Sequence, residues 1–141
     1  MLKVTCAIII QNGKMLITQR GADSDHPLQW EFPGGKVTEN ESEEDCIIRE
    51  IREELNIELV ILLRMTPVEY DYGFKLIQLI PFLCEIESDE IRLNEHHDFK
   101  WVTEEQIRHI DLSEADRVLI KRNENRDVLK KYLGENMHNT G

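Results

Sequence analysis

The sequence predicts an α/β or α+β domain whose sheet is covered by helices, and three observations carry that expectation. Runs rich in branched and aromatic residues recur as far as residue 102, a middle stretch switches to helical period, and the chain from residue 103 onward reads as helix again. At 141 residues the chain fits one domain and is long enough to bury a sizeable core. No repeat, low-complexity run or interdomain linker divides it. A single domain over 1–134 is expected, followed by a flexible tail over 135–141, "ENMHNTG".

The opening "LKVTCAIIIQNGKMLITQR" holds two strand-like runs joined at Asn12-Gly13, a dipeptide that accepts the positive φ angles of a tight hairpin turn. "GADSDHPLQ" is polar and turn-rich, a loop placed to close over a pocket, and it leads into the short apolar "WEF" and then Pro33-Gly34-Gly35. From Ser42 the period changes. Ile47, Ile48, Ile51 and Leu55 recur at helical spacing, Ser42 and Asp45 suit an N-cap and its N3 partner, and Asn56 tolerates the left-handed backbone that ends helices. A helix over 42–55 follows.

"IELVILLRMTPVEYDY", "KLIQLIPFLCEI" and "DFKWV" are each expected to be strands, with Pro81 marking an edge or a bulge. Thr103 opens a short helix, and Ser113 opens a longer helical segment expected to break near Asn123 and to run on to Gly134.

With 28 acidic against 17 basic side chains the net charge is -11, which repels polyanions and argues against duplex nucleic acid or an anionic membrane as a partner. Cys6, Cys46 and Cys84 are widely spaced and form no CxxC pair, so a disulfide framework or thiolate zinc site is not expected. That usage fits a reducing cytoplasm. "CAIII", the longest apolar run near the start, is too short for a membrane span or a signal-peptide core.

The chemistry concentrates in "GGKVTENESEEDCIIREIREELNI", residues 34–57, with seven glutamates in twenty-four residues. On a helix Glu50, Glu53 and Glu54 fall within an arc of about 100°, beside the isoleucine stripe. Glu50 and Glu54 are a like-charge pair four apart, which costs a few tenths of a kcal/mol, whereas a merely solvated face gains from alternating signs. Two readings stand on spacing alone: an acidic solvated face, or carboxylates gathered for Mg²⁺ or Mn²⁺, hard cations that bridge protein oxygens to phosphates.

The same stretch resembles the Nudix box, G-x5-E-x7-R-E-U-x-E-E-x-G-U with U bulky and apolar: Gly35, Glu41, Arg49-Glu50-Ile51, Glu53-Glu54 and Ile57 stand in register. Only the late glycine differs, replaced by Asn56. With this chain's own residue frequencies, the eight remaining fixed positions match somewhere by chance with odds on the order of 10⁻⁵. The flank "ITQRGADSDHPLQWEFPGGK" further resembles MutT-type nucleoside triphosphate pyrophosphohydrolases. That resemblance implies a mixed sheet between helices, a Nudix-type α/β/α sandwich, and hydrolysis of a nucleotide pyrophosphate linkage with Mg²⁺ as the cofactor and Mn²⁺ as an alternative.

Carried over residue by residue, Glu50, Glu53 and Glu54 with the Gly34 carbonyl would hold the metal. Arg49 would orient the glutamates, with Glu41 in support, while Glu39, Glu43 and Glu44 remain solvated charges. Glu95, six residues before Trp101, matches a loop glutamate that approaches the metal, and is a second candidate base beside Glu53 and Glu50. His96 and His97 are read as facing solvent. Arg20, Glu31, Phe32, Pro33 and Gly34 match residues bordering the nucleotide, Lys75 matches a basic residue that touches substrate, and an exposed turn lysine is its bland counterpart.

Asp116 in "SEADRVLI" stands where the resemblance places a base-reading side chain, asparagine in the members that favour 8-oxo-dGTP. An ionised aspartate only accepts hydrogen bonds, which favours an N–H-rich edge: the cytosine amine, or N1–H and N2–H of guanine. Its alternative role is to complete a helix capping box with Ser113, three residues earlier. The expected activity is hydrolysis of a nucleoside triphosphate, 8-oxo-dGTP in nucleotide-pool sanitation or CTP and dCTP, by a monomer or homodimer. The alternatives are a non-hydrolytic nucleotide sensor, or cleavage of a dinucleotide, nucleotide sugar or capped RNA end.

Overall fold

The structure, a computed structural model, describes residues 1–88 and 90–140, the side chains of 135–140 excepted. The expected tail over 135–141 therefore lies largely outside the described side chains. β1 (Leu2–Gln11) and β2 (Lys14–Gln19) form the predicted hairpin, with Asn12 and Gly13 at φ 53° and 76°. Two short strands follow, β3 (Trp30–Glu31) and β4 (Gly34–Lys36), and then α1 (Glu43–Leu55). The Ser42 side chain accepts from the Asp45 N–H at 3.0 Å, and Asn56 ends the helix at φ 59°, ψ 36°, as its sequence predicts.

The single strand expected over 57–72 is two strands, β5 (Leu59–Arg64) and β6 (Val68–Asp71), both antiparallel to β7 (Leu76–Ile86). Pro81 sits at neither an edge nor a bulge of β7, because β7 runs parallel to β1 on its other side, Cys6 opposite Pro81. The Pro81 carbonyl accepts from the Met65 N–H at 2.8 Å, in the gap between β5 and β6. A residue's N and C=O point the same way in a strand, so the donor that proline lacks also faces the gap, where no ladder needs it.

β8 (Asp98–Val102) pairs with β2, which gives a mixed sheet ordered β3-β2-β1-β7-β5, with β8, β4 and β6 paired alongside β2, β1 and β7. Alternate residues of the central strands face opposite layers. Cys6, Ile8, Ile10, Ile77 and Leu79 pack with Leu119, Leu129 and Leu133 on one face, and Ala7, Ile9, Ile80 and Phe82 pack beneath Ile47, Ile51 and Leu55 of α1 on the other. This is the α/β/α sandwich.

After β8 come α2 (Glu104–Ile107), whose Thr103 and Gln106 form a full capping box, α3 (Glu114–Lys121) and α4 (Asn123–Thr140). The break falls at Arg122, which is extended at ψ 132°, and Gly134 does not end α4. Among the described residues no helix is long and apolar enough to cross a membrane.

α4 is fastened through one polar residue. Asn125, fully buried, accepts from the Thr66 N–H and donates to the Thr66 carbonyl, both at 2.8 Å, and donates to the Leu119 carbonyl at 3.1 Å. It replaces the strand partner that Thr66 lacks in the β5–β6 gap. Asn125→Leu, which strands both Thr66 groups, is expected to cost about 2–3 kcal/mol, read as a lower urea midpoint at unchanged slope.

Candidate active site

The helical period of α1 buries Ile47, Ile51 and Leu55 completely and leaves the acidic residues along the helix edge facing β4. Arg49 organises them. Its Nε and Nη2 grip the two Glu41 oxygens at 2.7 and 3.0 Å, and its Nη1 donates to Glu50 at 3.0 Å and to Glu53 at 3.2 Å. Glu41 also accepts from the Thr38 N–H and hydroxyl, and these bonds with the guanidinium hold its carboxyl well below the usual range. Of the glutamates expected to remain solvated, Glu43 is instead paired with Arg64 at 2.9 Å.

Glu54 has a different environment. Burial foremost, then the neighbouring charges of Glu50 and Glu31, push its carboxyl up to about 9, against the opposing effect of the Gly34 amide. Its Oε2 is buried and has no hydrogen-bond partner. A carboxylate so placed calls for a proton or a cation. Among the described residues no three acidic, histidine or cysteine side chains converge as a preformed cage, since Glu50 and Glu53 turn to Arg49. The donor set still fits a hard divalent cation, because the Glu54 carboxyl, one oxygen of it buried without a partner, interacts with the neighbouring Glu50 carboxyl, and both offer only oxygen.

β4 brings its glycines close to this edge. Ladder bonds run through Ala7–Pro33 and Lys3–Val37, so the alternation of an antiparallel pair turns the N–H and C=O of Gly34 away from β1. A Cβ on Gly34 would overlap the Thr5 carbonyl, and one on Gly35 would overlap the Glu50 carboxylate. The two alanine variants should therefore fail differently. Gly34→Ala forces backbone apart and is expected to cost about 3 kcal/mol of stability. Gly35→Ala meets only the mobile end of a side chain, so it should fold with a near-normal Tm while turnover falls about tenfold as Glu50 is displaced.

The opposite wall comes from the sheet ends. Arg20 donates to Glu31 at 3.0 Å, and His96 Nε2 lies 2.9 Å from the other Glu31 oxygen. His96 is not solvent-facing as its sequence position suggested: its side chain is only 9% exposed. The sequence held no signal for this, because Glu31 is 65 residues away. His97 is exposed.

β3 is bridged to the start of α3, with Trp30 N–H donating to the Asp111 carbonyl at 2.9 Å and Ser113 N–H to the Trp30 carbonyl at 2.8 Å. That bridge sets Asp116 beneath β3, where its Oδ2 accepts from the Phe32 N–H at 2.9 Å. Ser113 makes no side-chain cap, so Asp116 is not half of a capping box. Burial pushes its carboxyl up to about 8, which favours the neutral acid over the carboxylate. Against the expectation of an acceptor-only aspartate, burial favours the neutral acid, which donates and accepts, as asparagine does.

These walls enclose a cleft of about 860 Å³. Arg20, Glu31, Phe32, Gly34, Glu54, Lys75, Glu95 and Asp116 line it, together with His96 and the 23–26 part of the expected covering loop. Glu50, Glu53 and Arg49 stand outside the lining, and Pro33 is buried, with its carbonyl spent on the Ala7 N–H at 2.8 Å. Tyr72 and Phe74 line the cleft beside Lys75, whose Nζ lies 5.9 and 5.8 Å from their ring centres. The aromatic run "EYDYGF" before Lys75 was the signal for them.

Residues 1–122 match the NUDIX domain family. The chain is 33% identical over 121 residues to the CTP pyrophosphohydrolase of Escherichia coli K12, a match covering 86% of this chain and 90% of that one. It is 31% identical over 133 residues to nucleoside triphosphatase NudI of Escherichia coli O139:H28, covering 84% and 93%. Among solved structures, the MutT protein of Methanosarcina mazei Go1 superposes with a TM-score of 0.77 at 28% identity, covering 86% of this chain and 91% of that one. With the box residues gathered around Arg49 and the family match spanning the sheet and α1, the chain belongs to the Nudix hydrolase family.

Proposed function

We propose that this chain hydrolyses a nucleoside triphosphate to the monophosphate and pyrophosphate, with Mg²⁺ as cofactor and Mn²⁺ as a substitute. The observation that carries the reading is the buried, unpartnered Glu54 oxygen at the wall of an 860 Å³ cleft that Arg20, Lys75 and Asp116 also line. Held by Glu50, Glu53 and Glu54, with the Gly34 carbonyl and Glu95, the cation would neutralise the polyphosphate and lower the pKa of a bound water. Arg49 keeps Glu50 and Glu53 within its fork, so those carboxylates wait in place rather than dispersing into solvent. Glu53, 60% exposed despite its bond to Arg49, and Glu95 are the carboxylates placed to take a proton from the attacking water, with Glu50 only 16% exposed. Arg20 and Lys75 supply positive charge to a chain that is otherwise strongly acidic.

For the base, the neutral Asp116 complements both candidates, since it can donate to cytosine N3 while accepting from the N4 amine, or donate to guanine O6 while accepting from N1–H. The similarity to a CTP pyrophosphohydrolase favours CTP and dCTP. The second reading is 8-oxo-dGTP, with a role in pool sanitation and thus DNA repair, favoured by the MutT-like fold and an asparagine-like Asp116. A panel of nucleotides incubated with Mg²⁺ and resolved by ion-exchange chromatography decides between them. kcat/KM at least about tenfold higher for CTP or dCTP than for 8-oxo-dGTP is the expected order, and the reverse order moves the assignment to the oxidised purine.

A further inference from the structure

The segment carrying Glu95 is fastened to the end of α1. Arg92 N–H donates to the Leu55 carbonyl at 3.0 Å, Asn94 N–H donates to the Glu54 carbonyl at 3.1 Å, and Asn94 Nδ2 donates to the Glu53 carbonyl. The last carbonyls of a helix have no partner inside it. Here those of residues 53, 54 and 55 are all taken by residues 92 and 94, and two of them belong to glutamates of the site. Ile91 and Leu93 pack against the α1 side of the core. Beyond Glu95, His96 bonds Glu31 and His97 N–H donates to the Gln19 carbonyl at 2.8 Å. Glu95 thus lies between two anchors.

Asn56 adds the link that the family's usual glycine cannot. Its backbone makes the same left-handed turn, φ 59°, and its Nδ2 donates to the Arg92 carbonyl at 2.7 Å and to Asn94 Oδ1 at 3.4 Å. The departure from the box is therefore more than a tolerated helix stop. It bonds to the backbone of the Glu95 segment and to the side chain that caps the helix.

We propose that Asn56, acting with Asn94, is a positioning residue that locks the Glu95 segment to α1, so that Glu95 and the acidic edge of the helix keep one fixed relation when nucleotide binds. The proposal rests on the pyrophosphohydrolase reading for its effect on turnover, but not for the lock itself. Neither asparagine lines the cleft, so the lock acts on the placement of the reacting groups and not on nucleotide affinity.

Asn56→Gly is the discriminating variant, because glycine keeps the turn and removes only the side chain. Asn94→Ala removes the other half. Amide hydrogen exchange over 92–97, measured without nucleotide or metal, is expected to quicken about tenfold in either variant while the α1 core amides and Tm stay near wild type. With the preferred nucleotide of the panel, kcat is expected to fall about tenfold at unchanged KM. Glu95→Gln is expected to cost less in the Asn56→Gly background than alone, since a displaced Glu95 has less to lose. Unchanged exchange over 92–97 overturns the lock, and a rise in KM without loss of kcat, or losses that simply multiply, overturns its bearing on Glu95. Exchange needs no turnover, so a protein that cleaves no nucleotide still decides the lock, and then only the pyrophosphohydrolase reading falls.

Discussion

Glu54→Gln is expected to lower kcat about 10²- to 10³-fold with Mg²⁺, without unfolding the protein. The glutamine keeps the shape of a side chain that is already neutral in the metal-free fold, where burial beside Glu50 and Glu31 holds the carboxyl at about 9 against an ordinary 4.5. The folded state thus keeps a proton that the unfolded chain releases. The stability carried by that proton is complete below pH 4.5 and is lost as pH rises towards 9. Wild-type Tm should therefore fall across this window in the absence of metal, and Glu54→Gln should fall less steeply, keeping only the contribution of the likewise raised Asp116, a gap of about 5 °C or more at pH 9. Added Mg²⁺ should narrow the gap, because cation and proton compete for one carboxylate, and its stabilising effect should grow with pH. Near-normal turnover in the variant, or a Tm that Mg²⁺ raises equally in both proteins, removes Glu54 from the metal site.

Asp116 should govern the choice of base through its protonation. Burial lifts its carboxyl from an ordinary 3.8 to about 8, so the donor to the base is present at neutral pH and disappears as pH passes 8. KM for the preferred nucleotide should climb above that pH in the wild type, while Asp116→Asn, which keeps donor and acceptor at every pH, should show a flat KM. Asp116→Ala removes both and leaves the buried Phe32 N–H unpaired. It is expected to reduce kcat/KM about 10²-fold and to cost about 1–3 kcal/mol of stability. Steady-state kinetics from pH 6 to about 9.5 across the window of the raised carboxyl give the answer. Superimposable KM profiles for wild type and Asp116→Asn would contradict the assignment.

What could be read from the sequence was what local chemistry dictates. The Asn12-Gly13 turn, the Ser42 cap, the isoleucine stripe of α1 and the left-handed Asn56 all depend on residues within a few positions of one another, and each formed as expected. Arg49 and Glu41, eight residues apart, were legible through the resemblance to the Nudix box. What escaped was set by distant partners. Pro81 lies inside the sheet because a gap between β5 and β6 happens to face it, and the gap is held by Asn125, 59 residues from Thr66. His96 turns inward only because Glu31 is there to meet it. The environment of Asp116 is not legible either, because residue type gives its ordinary ionisation, whereas burial under β3 raises its carboxyl.

The decisive property of the proposed metal site on the acidic edge of α1 is cleavage of a triphosphate between its α- and β-phosphates. Incubation of the purified protein with CTP, with either Mg²⁺ or EDTA, and quantification of both phosphorus products test it directly. One pyrophosphate is expected for each CMP with Mg²⁺, with no free phosphate as a primary product and no turnover in EDTA. Release of inorganic phosphate with CDP, or equal turnover in EDTA, would contradict it.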